Sequence, residues 1–283
     1  MDNDALNLIE NIEQTLLESS LLGFNPAVLA ILDDVEIGQR EIEDLKIGLG
    51  PDVFNYLFGI ANSAYHGGIK LGPVKYFFDV VNRLGTQYTK IQILLFSLNR
   101  ITRDDHEAKL IFAKCFAASV VGRFMARSFG FSHDSARKVE LACLISGIGS
   151  MMMTAYRNQY KDDSQAMSDE FIENNHLYLT GRIISRYSLP DYLPEMIMHN
   201  YLTLDRTTIA LPGVVRMALA FVDWSFQKLG NRIVLRAGYV SLDDRYSPSL
   251  AALIADKFAS AGLSNYLVVL PATDPNKDNI HIH

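Results

Sequence analysis

The amino-acid sequence predicts an all-α protein, and two observations support that prediction. Apolar residues recur three or four positions apart through most of the chain, as they do along one face of an α-helix. Asn, Ser, Thr, Pro and Gly stand where these segments begin and end, which is typical of helix caps. With 283 residues, 49% of them apolar, the chain is long and apolar enough for one large or two modest domains with a buried core.

The first hundred residues predict an N-terminal bundle of about five helices. The first helix has its apolar residues at the helical spacing Leu6, Ile9, Ile12 and Leu16. Four more helices are predicted to begin at Asn25-Pro26, Pro51, Gly72-Pro73 and Thr86. Glycine after a last helical turn is a common stop signal, so Gly23 and Gly85 are expected to end two of these helices.

A charged segment at 101–108 is the predicted boundary between an N-terminal helical subdomain, 1–103, and a second helical subdomain with a C-terminal extension, 104–283. The second subdomain should begin with a long helix running toward Gly130. Further helices are predicted from Ser132 to about Gly147–Gly149, around 176–187, 191–200 and 211–229, and from Ser247-Pro248 to Gly262. Tyr266–Leu270 is strand-like, and the tail Asp274–His283 is polar.

Charge and composition exclude several classes of function. The net charge is −6 with no cluster of Lys and Arg, so direct nucleic-acid binding is not expected. Cys115 and Cys143 lie in apolar helical stretches, which indicates buried reduced thiols. The acidic N-terminus lacks the cationic region of a secretory signal, and the longest uncharged run, between Glu140 and Arg157, is shorter than the roughly 20 residues of a membrane span. We therefore expect a cytoplasmic protein without membrane contact.

The segment Ile60–Gly67, Ile-Ala-Asn-Ser-Ala-Tyr-His-Gly, resembles the Leu-Ala-Asn-Ser-Ala-x-Tyr-Gly signature of the HDOD family, the HD-related output domains of bacterial signalling proteins. Gly50–Val53, the segment from Ile69 to Gly85 and Thr180–Pro190 resemble other motifs of that family in the same order, and the match covers roughly residues 15–225. Within this match the residues identified with the signature and with a possible interaction surface are Asn62, Ser63, Ala64, Tyr65, Leu84 and Gly85.

The HDOD family is similar to a degenerate form of the HD metal phosphohydrolases, so the resemblance also locates their metal ligands. Residues 144–149, Leu-Ile-Ser-Gly-Ile-Gly, resemble the enzyme motif Leu-Leu-His-Asp-Ile-Gly, with Ser146 and Gly147 in place of the His-Asp pair. The first histidine of the enzymes falls near Lys114 and the last aspartate on Leu219. Zinc and related ions need imidazole, thiolate or carboxylate ligands. We call these four residues the vestigial HD site, and no metal or other cofactor is expected there.

The resemblance implies a non-catalytic bacterial signalling protein that acts through an unidentified protein partner, with homo-oligomer formation left open. Two alternatives remain. One is a metal-dependent phosphohydrolase with relocated ligands, His176 and His199 together with an acid such as Glu170 or Asp223. The other is a sensor in which Lys114 holds a small anion. For the histidines we favour structural roles, with His176 hydrogen-bonded in the helix packing and His199 at a helix end.

Three further expectations concern packing. The amide of Asn62 should satisfy backbone groups where its helix meets the Gly67-Gly68 loop, rather than forming a binding edge with Tyr65 and His66. Met151–Met153 should fill the core. The two subdomains should pack together with a groove between them, near Lys114, that could receive a ligand or a partner helix.

Overall fold

The computed structural model describes residues 3–16, 26–33, 38–63, 72–101, 105–160, 167–198, 210–228, 230–236, 255–259 and 262–270. Within these ranges nearly every segment is helical, which confirms the predicted all-α class. The described part of the first hundred residues holds α1 (Asn3–Leu16), a 3₁₀ helix (Pro26–Asp33), α2 (Gln39–Asn62), α3 (Phe77–Leu84) and α4 (Thr86–Ile101). About five helices were predicted here.

Glycine and proline determine where these helices bend and end. In α2, Gly50 has φ 77° and ψ 165°, and Pro51 follows it, so two helical segments meet at a kink and Pro51 begins the second, as predicted. The helix that was predicted to begin at Gly72-Pro73 begins later, so its predicted start is wrong. Gly72 has φ 77°, residues 72–75 are not helical, and α3 begins at Phe77. Gly85, with φ 81°, ends α3 as expected.

The second half contains α5 (His106–Ser128), α6 (His133–Ile145), α7 (Ile148–Gln159), α8 (Asp169–Arg186), α9 (Tyr192–Met198) and α10 (Leu211–Lys228). Three of these helices have side-chain caps. Asp105 accepts a hydrogen bond from the backbone N–H of Ala108 (3.0 Å), and Ser132 and Ser168 cap α6 and α8 in the same way. The cap at Ser132 was predicted from the sequence.

Helix α5 lies at the centre of the second half, where it packs against α6, α7 and α10, while α8 covers α7. In the first half, α2 packs against the 3₁₀ helix, α3 and α4. One hydrophobic core runs through both halves because α4 also contacts α6 and α7. Met151–Met153 lie in this core, as expected.

Helix α1 is ion-paired to the second half of the chain. Glu13, whose side chain is 7% exposed, accepts hydrogen bonds from Arg182 Nε (2.6 Å) and Arg186 Nη1 (2.9 Å) on α8. Asn11 Nδ2 also donates to the hydroxyl of Tyr156 on α7 (2.9 Å). The division at residue 103 stays a prediction, and contacts of α1 and α4 cross it.

The C-terminal extension contributes to the core. Strand β1 (Ile233–Arg236) pairs in parallel with β2 (Leu267–Leu270), which coincides with the predicted strand-like run, whereas β1 was not predicted. Between them, a short helical turn at 255–259 buries Lys257 and Phe258. The ring of Phe258 meets that of Phe116 on α5 edge-on, with 5.6 Å between centroids. The extension therefore completes the core beside α5.

The stretch His133–Gln159, which comprises α6 and α7, is long and apolar enough to be a candidate membrane span. However, 89% of its most apolar 18-residue window is buried within the fold. A buried pair of core helices has this composition because all its faces contact other parts of the chain.

Candidate functional site

The four residues of the vestigial HD site line one pocket of about 410 Å3, formed by α5, α7, α8, α9, α10 and the turn between α6 and α7. The fold thus brings together positions that are up to 105 residues apart in the sequence, from 114 to 219. The full lining consists of Glu107, Ile111, Lys114, Cys115, Ser146, Gly147, Ser150, Thr154, Asp169, Ile172, Glu173, His176, Leu177, Ile197, Leu219, Val222 and Asp223.

The turn Ser146–Gly147 is closed by a neighbouring sulfur atom. A Cβ on Gly147 would overlap Cys115 Sγ and would lie 3.1 Å from Ile111 Cγ2. The hydroxyl of Ser146 donates to the carbonyl of Cys143 (2.8 Å) and lies 3.8 Å from Cys115 Sγ. A side chain at position 147 would require the Cys115 sulfur to move, so the packing of this turn is fitted to glycine and not to the aspartate that the enzyme motif has there.

The second glycine of the motif, Gly149, permits a close approach between α7 and α8. A Cβ there would overlap the carbonyl oxygen of His176 and would lie 2.8 Å from Thr180 Oγ1. The Gly149 N–H donates to that same hydroxyl (3.2 Å). The Ile-Gly end of the motif therefore holds α8, and with it His176, against the pocket.

An ion pair stands at the position of the first enzyme histidine. Lys114 Nζ lies 3.0 Å from Asp223 Oδ1, which joins α5 to α10 across the pocket. The ammonium group thus supplies a positive charge between two helices that in the enzymes contribute metal ligands. Its charge is balanced by Asp223, and this reduces its attraction for a small anion.

Acidic groups predominate around the pocket. Glu107 and Asp169 both pair with Arg157, at 3.0 and 2.5 Å, while Asp223 pairs with Lys114. Glu173 also lines the pocket and has no ion pair with any described residue. Four carboxylates face two cations, so the pocket has a net negative charge and is better suited to a cation than to an anion.

His176 is half-buried in the pocket wall, and its Nδ1 atom is buried without a hydrogen-bond partner in the described part of the chain. Our expectation that it is hydrogen-bonded in the helix packing is therefore wrong for this atom. Burial lowers the pKa of His176, and the nearby charge of Glu173 offsets part of that effect. His199 lies outside the described residues. Among those that are described, no three His, Cys, Asp or Glu side chains are grouped to hold a metal ion.

Both cysteines are free and buried, as expected. Burial raises the pKa of Cys115 to about 11, with smaller opposing contributions from Ser146 and Gly147. The pKa of Cys143 is also raised, again because the thiol is buried. A protonated thiol is a weak nucleophile and a weak metal ligand. The role of Cys115 in the pocket is therefore to fill space beside Gly147.

The described part of the signature segment, residues 60–63, contributes no residue to this pocket. Asn62 Oδ1 accepts a hydrogen bond from the N–H of Val74 (2.6 Å), and its Nδ2 lies 3.5 Å from the Val74 carbonyl, so the amide pairs with backbone across the loop. Ser63 is buried, and Ala64 and Tyr65 lie outside the described residues.

We expected the groove near Lys114 to lie between the two subdomains, and this predicted position is wrong. Every residue lining the pocket lies between 107 and 223, so that pocket belongs to the second half alone. A pocket of about 240 Å3 between the halves is lined instead by Leu84 and Gly85 of the signature and by residues of α6 such as Arg137.

Two contributions to the site were missed by reasoning from the sequence. Asp223 was considered as a metal ligand but serves as the partner of Lys114. A signal for it was available, because Asp223 follows Leu219 by one helical turn and so shares its face of α10. The contact of Cys115 with Gly147 had no such signal, since it depends on the crossing of α5 with the turn.

Comparison with solved structures shows the fold. The chain superposes with TM-score 0.52 on a protein from Shewanella amazonensis assigned provisionally as a metal-dependent phosphohydrolase, at 12% identity over 89% of this chain and 97% of that one. An HDOD domain protein of unknown function from Geobacter sulfurreducens aligns with TM-score 0.47 and 14% identity, over 93% of this chain and 88% of that one. No protein-family model and no curated protein matches the sequence. The first of these likenesses shows that the chain shares its overall helical fold with the Shewanella amazonensis protein.

Proposed function

We propose that this chain is a non-catalytic regulatory protein of the HDOD type, which acts in the bacterial cytoplasm through contact with a protein partner. The observation that carries the proposal is that the pocket holds Ser146 and Gly147 where the enzymes have the His-Asp pair, with Cys115 packed into the space beside Gly147. An HD-type hydrolase needs that pair to hold its metal, and a metal site generally needs at least three protein ligands.

The ion pair between Lys114 and Asp223 gives further support. Here an ammonium–carboxylate pair at 3.0 Å connects α5 with α10. It provides cohesion between the helices but no Lewis acid and no metal-bound water, which are what metal-assisted hydrolysis requires.

An exposed apolar surface on α10 supports the protein-contact part of the proposal. Met217, Phe221 and Trp224 recur at helical spacing and are all exposed, Trp224 to 57%. The rings of Phe221 and Trp224 lie 6.4 Å apart, so they form one patch. Aromatic residues and Met are enriched where proteins contact one another, whereas single exposed apolar residues are ordinary.

The catalytic part of the proposal is tested on the purified full chain by elemental analysis after gel filtration and by a hydrolysis assay with bis-p-nitrophenyl phosphate and added Mn²⁺. We expect no stoichiometric transition metal and no turnover above buffer. About one metal ion per chain, lost on replacing His176 or His199, together with hydrolysis, would instead favour the relocated phosphohydrolase site.

The contact part is tested by co-purification from the native host with mass spectrometry, using Trp224→Ala and the matched control Phe129→Ala, since Phe129 is also an exposed aromatic residue. We expect a protein retained by the wild type and by the control but lost by Trp224→Ala. Light scattering of the isolated chain detects the case in which the partner is a second copy. Equal retention by both variants would contradict a contact through this patch.

A further inference from the structure

The pocket at the vestigial HD site has the size and composition of a ligand site. Its volume of about 410 Å3 falls in the range of small-molecule pockets, about 300–1,000 Å3. Apolar side chains form much of its wall, namely Ile111, Ile172, Leu177, Ile197, Leu219 and Val222. Charged and hydroxyl-bearing side chains form the rest of the wall. We propose that this pocket binds a small organic cation, an amine with an apolar body, as the input that regulates the protein.

Two walls of the pocket carry polar atoms. Thr154 on α7 is 1% exposed and lines the pocket, so its hydroxyl belongs to the wall of the cavity. Nδ1 of His176, on α8, is buried without a hydrogen-bond partner in the described part of the chain. Leaving a buried polar atom without a partner costs about 1–3 kcal/mol, so native structures usually provide one. Two walls of the same cavity therefore present polar atoms that a ligand can satisfy.

The charge of the pocket selects the class of ligand. Asp223 is paired with Lys114, and Glu107 and Asp169 share the one cation Arg157. Glu173 has no ion pair with any described residue. An ammonium group beside Glu173 would neutralise it, whereas a phosphate or carboxylate would add to an excess of negative charge. The same charges argue against a small anion at Lys114.

This inference rests on the proposed function, because it treats the pocket as a receptor site and not as a catalytic site. It adds the chemical class of the ligand that would regulate the protein. The ligand would sit between α5, α7, α8 and α10, so its binding would tighten contacts around the helix that carries Phe221 and Trp224.

The test uses two probes with the same phenylethyl body and opposite charge, phenethylamine and 3-phenylpropionate, with agmatine as a second amine and inorganic phosphate as a second anion. Isothermal titration and thermal melts of the full chain measure binding. We expect both amines to bind and to raise the melting temperature, and neither anion to do so. If neither amine binds at up to about 1 mM, or if an anion binds in preference, the inference is overturned.

Two variants locate the binding. Glu173→Gln should weaken phenethylamine binding by about threefold or more, while the neighbouring Glu170→Gln, which changes charge equally on α8 but does not line the pocket, should leave it unchanged. Thr154→Val keeps the shape and removes the hydroxyl, so agmatine binding should weaken. Binding unaffected by both Glu173→Gln and Thr154→Val would place the amine elsewhere and would also overturn the inference.

The outcomes separate this inference from the proposed function. Hydrolysis of phosphate esters with a bound metal would overturn the proposed function whatever the amines do. Absence of amine binding, in a chain that neither holds a metal nor hydrolyses phosphate esters, would overturn the cationic ligand and leave the non-catalytic role standing.

Discussion

Replacement of Lys257 tests how far the C-terminal extension supports the fold. Lys257 is 1% exposed and its Nζ donates to Glu140 Oε1 at 2.5 Å, while Glu140 on α6 is fully buried and also accepts from Arg123 at 2.8 Å. The ammonium group lies 5.2 Å from the centroid of the Phe116 ring, within range of a cation–π contact. The substitution Lys257→Met keeps the apolar stem and removes the charge.

Breaking a buried ion pair by removing one partner costs about 3–5 kcal/mol. Because Glu140 keeps Arg123, we expect the lower end, about 3 kcal/mol. In a chain of this size, each kcal/mol corresponds to about 2–4 °C in melting temperature, so Lys257→Met should melt roughly 10 °C lower than the wild type. Differential scanning calorimetry and urea titration measure the two quantities.

Two further variants make the result specific. Lys46 is 59% exposed, so Lys46→Met should change stability by no more than about 0.5 kcal/mol. The double variant Lys257→Met with Glu140→Met should recover most of the loss, since replacing a buried pair by apolar side chains is often neutral. If Lys257→Met melted with the wild type, Lys257 would not neutralise Glu140 and the extension would not be docked as described.

Three other substitutions probe separate contacts. Burial raises the pKa of Glu13, but hydrogen bonds and charges from two arginines of α8 outweigh burial and lower the pKa below its ordinary 4.5. The ion pair therefore stabilises the fold above pH 4.5, and this stabilisation is lost as the pH falls through the lowered pKa. Glu13→Gln should therefore unfold more easily than the wild type at pH 7, by about 1–3 kcal/mol, and the gap in urea titrations should narrow below pH 4.5; a gap independent of pH would contradict the ion pair. Asn62→Ala removes the acceptor of the Val74 N–H and should cost about 1–2 kcal/mol in thermal melts, whereas an unchanged melt with weaker partner capture would instead make Asn62 a binding residue. Gly147→Ala should lower stability by about 1–3 kcal/mol because its Cβ overlaps Cys115 Sγ, and addition of Cys115→Ala should restore part of the loss in the same assay; no restoration would mean that the sulfur is not the obstacle.

Local sequence patterns predicted most helices because the signals are local. The cap at Ser132 and the stop at Gly85 depend on backbone geometry within one turn, so each could be recognised from neighbouring residues. The start of α3 could not be recognised from neighbouring residues. Gly72 and Pro73 favour a helix start in isolation, but the amide of Asn62 binds the backbone of Val74 from another helix and holds it in a non-helical conformation.

Some features of the candidate site could likewise be predicted from the sequence, and others could not. The frame Leu-Ile-Ser-Gly-Ile-Gly and the substitutions at Lys114 and Leu219 could be compared with the enzyme motif position by position, and the structure gathers all four positions in one pocket. The charge of that pocket could not be predicted. It depends on Asp223 reaching Lys114 and on Arg157 reaching two acids from separate helices.

The sequence by itself determined that this chain is helical, where most helices begin and end, and that the ligand positions of an HD site hold other residues. These follow from the periodicity of apolar residues and from residue chemistry, both of which are local. Only the tertiary structure decided that Cys115 closes the space beside Gly147, that α1 pairs with α8, and that Lys257 of the extension neutralises Glu140 in the core. Those contacts join side chains far apart in the chain, and their existence depends on how the helices cross.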